Sequence, residues 1–196
     1  MMKKLLIMLV TAVLAVAASA QTEGAFRMGV RINGGISYNS PYQDEGAAFG
    51  YGIGWIAEYN LKPSLYLQSG IGLENIAYKD CGTKNAFYGQ LPVHFGFRHA
   101  ISDGKALFVQ AGPTFSVGLF GSDLTQYCIT RDGHGACGPE TVFDYLKRFD
   151  FELGGRIGVE IRKIRISAGA NYGVTEVVDH RGGHTLTVNL GLAYMF

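Results

Sequence analysis

The side chains best suited to moving protons are five histidines, His94, His99, His134, His180 and His184. A hydrolytic site would need a serine or similar nucleophile beside one of them, and a carboxylate to orient the ring. None of the five is followed two residues on by a serine. Asp179-His180 and His184-Thr185 come closest to such a grouping, and they fall in one polar connection that reads as a solvated loop. His94 falls among alternating residues on a polar face, where a carboxylate partner is expected. The histidines and cysteines show no zinc-ligand spacing. The expectation is therefore no catalytic residue, no metal and no cofactor.

Cysteine chemistry is the next candidate. Cys128 and Cys137 share one long connection and are placed to close a small ring. Cys81 lies in another connection, so three cysteines leave one thiol over. This usage suits an oxidising compartment, and the spacing leaves the pairing open.

The third group is ionic. Arg27, Arg31, Glu58, Glu74, Arg98, Asp150, Glu152, Arg156, Glu160 and Arg165 all fall on the polar side of alternating segments. Five acids and five arginines on one face are expected to pair, because a buried charge requires a partner. Glycines accompany them at positions 29, 50, 52, 54, 70, 72, 96, 112, 154 and 158. Small residues beside paired charges suit the crowded inside of a narrow barrel.

The elements that would position these groups are strands. Near the end, Leu186, Val188, Leu190, Leu192, Tyr194 and Phe196 alternate with Thr187, Asn189, Gly191 and Ala193. This is the period of two expected of a sheet with unlike faces. The same period predicts strands near 26–38, 47–59, 64–78, 87–99, 105–119, 149–162 and 164–175, eight in all with the last. Tight connections at Asn60–Pro63, Ile101–Gly104 and Arg162-Lys163 alternate with longer ones near 39–46, 79–86, 120–148 and 177–183. An even strand count with short turns at one end and long loops at the other is the layout of an outer-membrane barrel. The fold class expected is all-β, an eight-stranded antiparallel up-and-down transmembrane β-barrel, with both termini at the short-turn, periplasmic end. The 120–148 connection is the longest. It carries Tyr127, Phe143, Tyr145 and Leu146, and it reads as a surface-binding segment or as a lid on the barrel mouth.

Two patterns turn the apolar face toward lipid. Lys62, Lys79, Lys84, Lys105, Lys147 and Lys163 all fall in turns, loops or strand ends. A soluble barrel would scatter lysine over its wet face. Aromatics on the apolar face gather at both ends: Phe26, Tyr59, Phe97, Tyr194 and Phe196 by the short turns, and Tyr38, Phe49, Phe87, Phe149 and Tyr172 by the long loops. Two girdles are expected where a barrel meets two membrane interfaces.

The beginning of the chain reads as an export signal. Lys3 and Lys4 precede an apolar run from Leu5 to Ala18, and Ala18-Ser19-Ala20 is a small-x-small cleavage site. Residues 1–20 are expected to be a secretory signal peptide and 21–196 one barrel domain. With 17 basic and 16 acidic residues the chain carries no nucleic-acid footprint.

The ending Asn189-Leu-Gly191-Leu-Ala-Tyr194-Met-Phe196 resembles the signal by which outer-membrane barrels are handed to their assembly machinery. That role is implied by the resemblance. The stretches Gln90-Leu-Pro92-Val-His-Phe-Gly-Phe-Arg98, Gln110-Ala-Gly112-Pro113 and Phe149-Asp150-Phe-Glu-Leu-Gly154-Gly-Arg-Ile-Gly158-Val-Glu160 resemble the PorT-like outer-membrane β-barrel family, common in Bacteroidota. The likeness spans the chain after the export signal. It implies a small barrel in the outer membrane of a Gram-negative bacterium. The family's namesake is tied to type IX secretion, while most of its relatives have no assigned activity. The function expected is non-enzymatic: an integral envelope protein that meets an extracellular ligand through its long loops, with the lumen plugged by charge pairs. The alternatives are an accessory barrel among the subunits of a type IX-like secretion machine, and a narrow channel for small solutes. Expected partners are outer-membrane lipid and the barrel-assembly machinery.

Overall fold

The computed structural model describes residues 26–39, 47–79, 83–121, 123–124, 140–144, 146–176 and 183–196. Eight long strands form the wall: β1 (Phe26–Asn39), β2 (Ala48–Lys62), β3 (Leu65–Lys79), β4 (Thr83–Ser102), β5 (Lys105–Gly121), β6 (Phe149–Ile161), β7 (Ile164–Gly173) and β8 (Thr185–Met195). Each pairs antiparallel with its sequence neighbour, and β1 pairs with β8 from Gly29↔Met195 to Asn39↔Thr185, which closes the barrel. Closure leaves no unpaired strand edge.

The alternation in sequence becomes the two faces of the wall. In β8 buried and exposed residues alternate without a break from Thr185 to Met195. The exposed set is apolar. Leu190 is 70% exposed, Phe95 66% and Ile157 63%, and all three lie near mid-height. The buried set is largely polar, with Glu58, His94 and Ser116 at 0% exposure. This inverts a soluble barrel, whose apolar residues fill the inside. Tyr59, Phe97, Tyr194 and Phe196 ring the outer face at the short-turn end, and Tyr38, Phe49, Phe149 and Tyr172 ring it at the other.

The short turns sit within a residue or two of their expected places. They are Pro63-Ser64, Asp103-Gly104 and Arg162-Lys163. Gly104 has φ of 69°, in the left-handed region that glycine enters without steric cost. Arg162, at φ 56°, takes that conformation with a full side chain.

One connection differs from expectation. The stretch 79–86 reads as a long loop, but β3 and β4 run on through it as a hairpin, with Lys79 opposite Thr83 and Asn75 opposite Phe87. Polar residues beyond the lipid band keep their ladder because inter-strand hydrogen bonds do not depend on which side chains they carry.

Two prolines loosen the wall. Between β3 and β4 the register passes from Ser69↔Val93 to Gly72↔Gln90, skipping the positions opposite Pro92 and Leu91. Between β4 and β5 it passes from Pro92↔Thr114 to Phe95↔Ala111, skipping Val93 and His94. Proline brings no N–H to the ladder, so Pro92 and Pro113 each open a gap beside them.

Candidate functional site

The ten predicted lumen charges separate into two layers. Near the short turns, three arginines surround two glutamates. Arg165 Nη2 lies 2.8 Å from Glu58 Oε2 and 2.7 Å from Glu160 Oε2. Arg27 Nη2 donates to Glu160 Oε1 at 2.6 Å, and its Nη1 is 3.7 Å from Glu58 Oε1. Arg98 donates to Glu58 Oε1 and reaches Glu160 Oε2 at 3.4 Å. Register explains part of this: Arg27 pairs with Glu58 across β1–β2, and Glu160 with Arg165 across β6–β7. Arg98 comes from the opposite wall.

Aromatic rings pack the same layer. Tyr66 lies flat over Gly96, its partner across β3–β4, where a Cβ at Gly96 would strike the ring. Its hydroxyl donates to Gln110 Oε1 at 3.1 Å. The Arg98 guanidinium sits 4.8 Å from the Tyr66 centroid, and that of Arg165 sits 4.6 Å from Phe108. Ile56, Ala193 and Met195 form an apolar group at this end. The alternation that places Gln68 and Gln110 inside also places Tyr66 and Phe108 there. Reading the polar face for charge alone passed over them.

The other five charges are arranged differently. Arg31 and Arg156 are 7% and 6% exposed, and Arg31 Nε and Arg156 Nη1 have no hydrogen-bond partner among the described residues. Glu74 lies within electrostatic range of both and accepts from Asn33 Nδ2 at 3.1 Å. Glu152 accepts from Ser116 Oγ at 2.6 Å and from Gln90 Nε2 at 3.4 Å. Asp150 accepts from the Thr175 hydroxyl at the long-loop rim. Among the described residues His94 has no carboxylate partner. Its Nε2 is 3.2 Å from Thr114 Oγ1, and its Nδ1 is 3.3 Å from Gln110 Nε2. The nearest polar groups across the Pro113 gap are neutral, so the ring is held by neutral hydrogen bonds.

Above this layer the described part of the long connection packs against the wall. The ribbon Asp123–Leu124 with Glu140–Thr141 leads into a single 3-10 turn, Val142–Asp144. Val142, Phe143 and Leu146 are buried in one cluster with Ile76, Ala86 and Tyr88 of the wall. The Phe143 ring meets Tyr88 edge-on at 5.5 Å and occupies the space where a Cβ of Gly118 would stand. Arg148 lies over its other side at 5.2 Å, and the Arg148 carbonyl accepts from Gly118 N at 2.5 Å.

Of the proton-transfer candidates, His94, His99 and His184 fall among the described residues. His184 Nδ1 lies 3.0 Å from the Gly173 carbonyl, and its ring packs on Tyr172 at 5.3 Å. Thr185, the neighbour that the sequence pairs with His184, is buried, while the Thr175 hydroxyl donates to Asp150 and accepts from Phe151 N at 3.1 Å. His99 is exposed on the outer face. His134, Asp179 and His180 lie outside the described residues, as do Cys81, Cys128, Cys137 and the expected signal peptide.

At the end of β8, Asn189 and Gly191 face inward while Tyr194 and Phe196 face out. Phe196 packs on Trp55 and on Tyr194, each at 5.7 Å, and its N–H donates to the Met28 carbonyl at 2.7 Å.

The sequence profile of the outer membrane protein beta-barrel domain matches residues 8–196. The chain belongs to that family. The closed barrel with an apolar outer face agrees with that description, and the outer membrane is its location. Solved structures agree on the fold. Neisserial surface protein A is 15% identical, with a TM-score of 0.52 over 89% of this chain and 100% of that one. The outer membrane enzyme PagL is 12% identical, with a TM-score of 0.50 over 84% and 98%. None of the curated proteins compared matches this chain. At these identities the likeness speaks for fold alone.

Proposed function

We propose that this chain is a closed, non-enzymatic outer-membrane barrel that serves the cell surface through its long-loop end, with its termini in the periplasm and its lumen acting as a plug. The observation that supports the reading is side-chain packing toward both ends of the lumen. Three arginines locked on Glu58 and Glu160 fill one end, and Phe143 against Tyr88 fills the other. An eight-stranded barrel is only wide enough to be filled by its own side chains.

The stretches that resemble the PorT-like family occupy the adjacent strands β4, β5 and β6 and support a second reading, an accessory barrel of a secretion machine. Cross-linking in native outer membranes, followed by mass spectrometry, separates the two. The surface reading expects an extracellular partner that disappears when 125–139 is deleted from an otherwise folded barrel. Stoichiometric recovery of secretion-machine subunits would put the accessory role first. Purified protein in planar bilayers should give no conductance steps, and discrete steps would replace the plug with a narrow channel.

A further inference from the structure

We infer that the short-turn rim binds an anionic phospholipid, with the headgroup phosphate held by Lys105, Arg162 and Lys163 and an acyl chain lying along the outer faces of β7 and β8. The three cations come from two turns fixed to one another. Arg162 N donates to the Gly104 carbonyl at 2.6 Å, which ties the β6–β7 turn to the β4–β5 turn. Lys105 follows Gly104 and pairs with Ile161, the residue before Arg162. The Lys163 carbonyl accepts from Met195 N at 2.7 Å, so the end of β8 is tied to the same turn. All three basic side chains are exposed, and Asp103 is the one exposed acid in these turns among the described residues.

The turn also carries an unfavourable backbone. Arg162 holds φ 56°, where glycine or asparagine is the usual occupant. A long cationic side chain at such a position points to a use for the charge. Directly along the wall from it is an apolar track. Tyr194 pairs with Ile164 and Leu192 with Ile166, and all four are exposed. Lys163 Nζ stands 5.9 Å from the Tyr194 ring centre. A phosphate at the three cations would therefore leave its acyl chain against Tyr194 and Leu192. Basic side chains at a membrane surface attract anionic lipid severalfold over neutral lipid.

This inference rests on the barrel lying in a bilayer with its outer face to lipid. The test can tell failure of that reading from failure of the lipid site. Trp55 is the only tryptophan, so Trp55→Phe with Tyr194→Trp places a single reporter beneath Lys163. The full mature chain is reconstituted in phosphatidylcholine vesicles containing a minority of phosphatidylglycerol. Bromine is carried on the chains of one lipid or the other. At equal mole fraction, brominated phosphatidylglycerol should quench the reporter at least about twofold more strongly than brominated phosphatidylcholine. Joint Lys105→Gln, Arg162→Gln and Lys163→Gln should remove the difference. Lys62→Gln, in the remaining short turn, should leave it intact. Equal quenching by the two lipids, or equal loss with Lys62→Gln, overturns the site. Absence of quenching by either lipid overturns the membrane reading itself. Should the reporter protein not fold, native mass spectrometry of the unaltered chain released from mixed nanodiscs gives the same decision. Retained phosphatidylglycerol that the triple variant loses supports the site, and no retained lipid overturns it.

Discussion

Glu58 is fully buried and meets Arg27, Arg98 and Arg165. Glu58→Gln leaves three guanidiniums around the single carboxylate of Glu160. Breaking a buried ion pair by removing one partner costs about 3–5 kcal/mol, because the remaining charges stay desolvated. Glu74→Gln is a milder change. Its contact with Asn33 survives as a neutral hydrogen bond and it makes no direct ion pair among the described residues, so what is lost is the longer-range attraction to Arg31 and Arg156, about 1–2 kcal/mol. Equilibrium urea unfolding in vesicles compares the two, and equal losses would sink the division of the lumen into a locked layer and a looser one. Alternation puts all ten charges on one face of the sequence pattern. It could not divide them, because which arginine meets which glutamate depends on the stagger between strands far apart in sequence, such as β3, β4 and β7. His94 shows the same limit: its inward direction was legible, and its neutral partners on β5 were not.

At the scale of elements, the strands were legible because each carries its own period of two, while their ends were not. The ladder runs past the lipid band wherever two chains remain paired, as Lys79 and Thr83 do, and side-chain pattern is silent there. The 120–148 connection reads in sequence as a surface-binding segment or as a lid, and its pattern does not choose between them. Of its described residues, Val142, Phe143 and Leu146 pack on Ile76, Ala86 and Tyr88. Phe143 supplies the largest ring of that segment in the cluster, and truncating a buried phenylalanine costs about 3–5 kcal/mol locally. That exceeds what a short strap without a ladder of its own can retain. Phe143→Ala should therefore release the strap while β1–β8 stay closed. Hydrogen exchange reads this directly: amides of 142–148 should lose protection severalfold and those of β4 and β5 should keep theirs. Unchanged protection at 142–148 would mean that the ribbon at Asp123–Leu124, not the aromatic contact, holds the strap.

The whole molecule turns on which face meets lipid. Period-two alternation is the same in a soluble barrel and a membrane barrel, so periodicity alone does not orient the wall. Lysine confined to strand ends, glycine beside paired charge and aromatics in two girdles supplied the direction, and the exposed apolar belt follows it from β1 to β8. Leu190 lies near mid-height of β8, paired with Gly34 on one side and Ala168 on the other, and is 70% exposed. A leucine this exposed would tolerate a charge in water. In a bilayer, arginine at the midplane of a barrel costs about 2–4 kcal/mol, and near the interface about 0–1 kcal/mol. Leu61, exposed beside the first short turn, provides the second depth. Leu190→Arg should therefore destabilise the vesicle-embedded barrel by about 2–4 kcal/mol and Leu61→Arg by less than about 1 kcal/mol. Both are measured by reversible unfolding from the same vesicles. A depth-dependent penalty is produced by a hydrocarbon slab around the wall and by nothing in the fold itself. Equal, small effects at Leu190 and Leu61 would mean that the apolar belt is covered by protein or left to water.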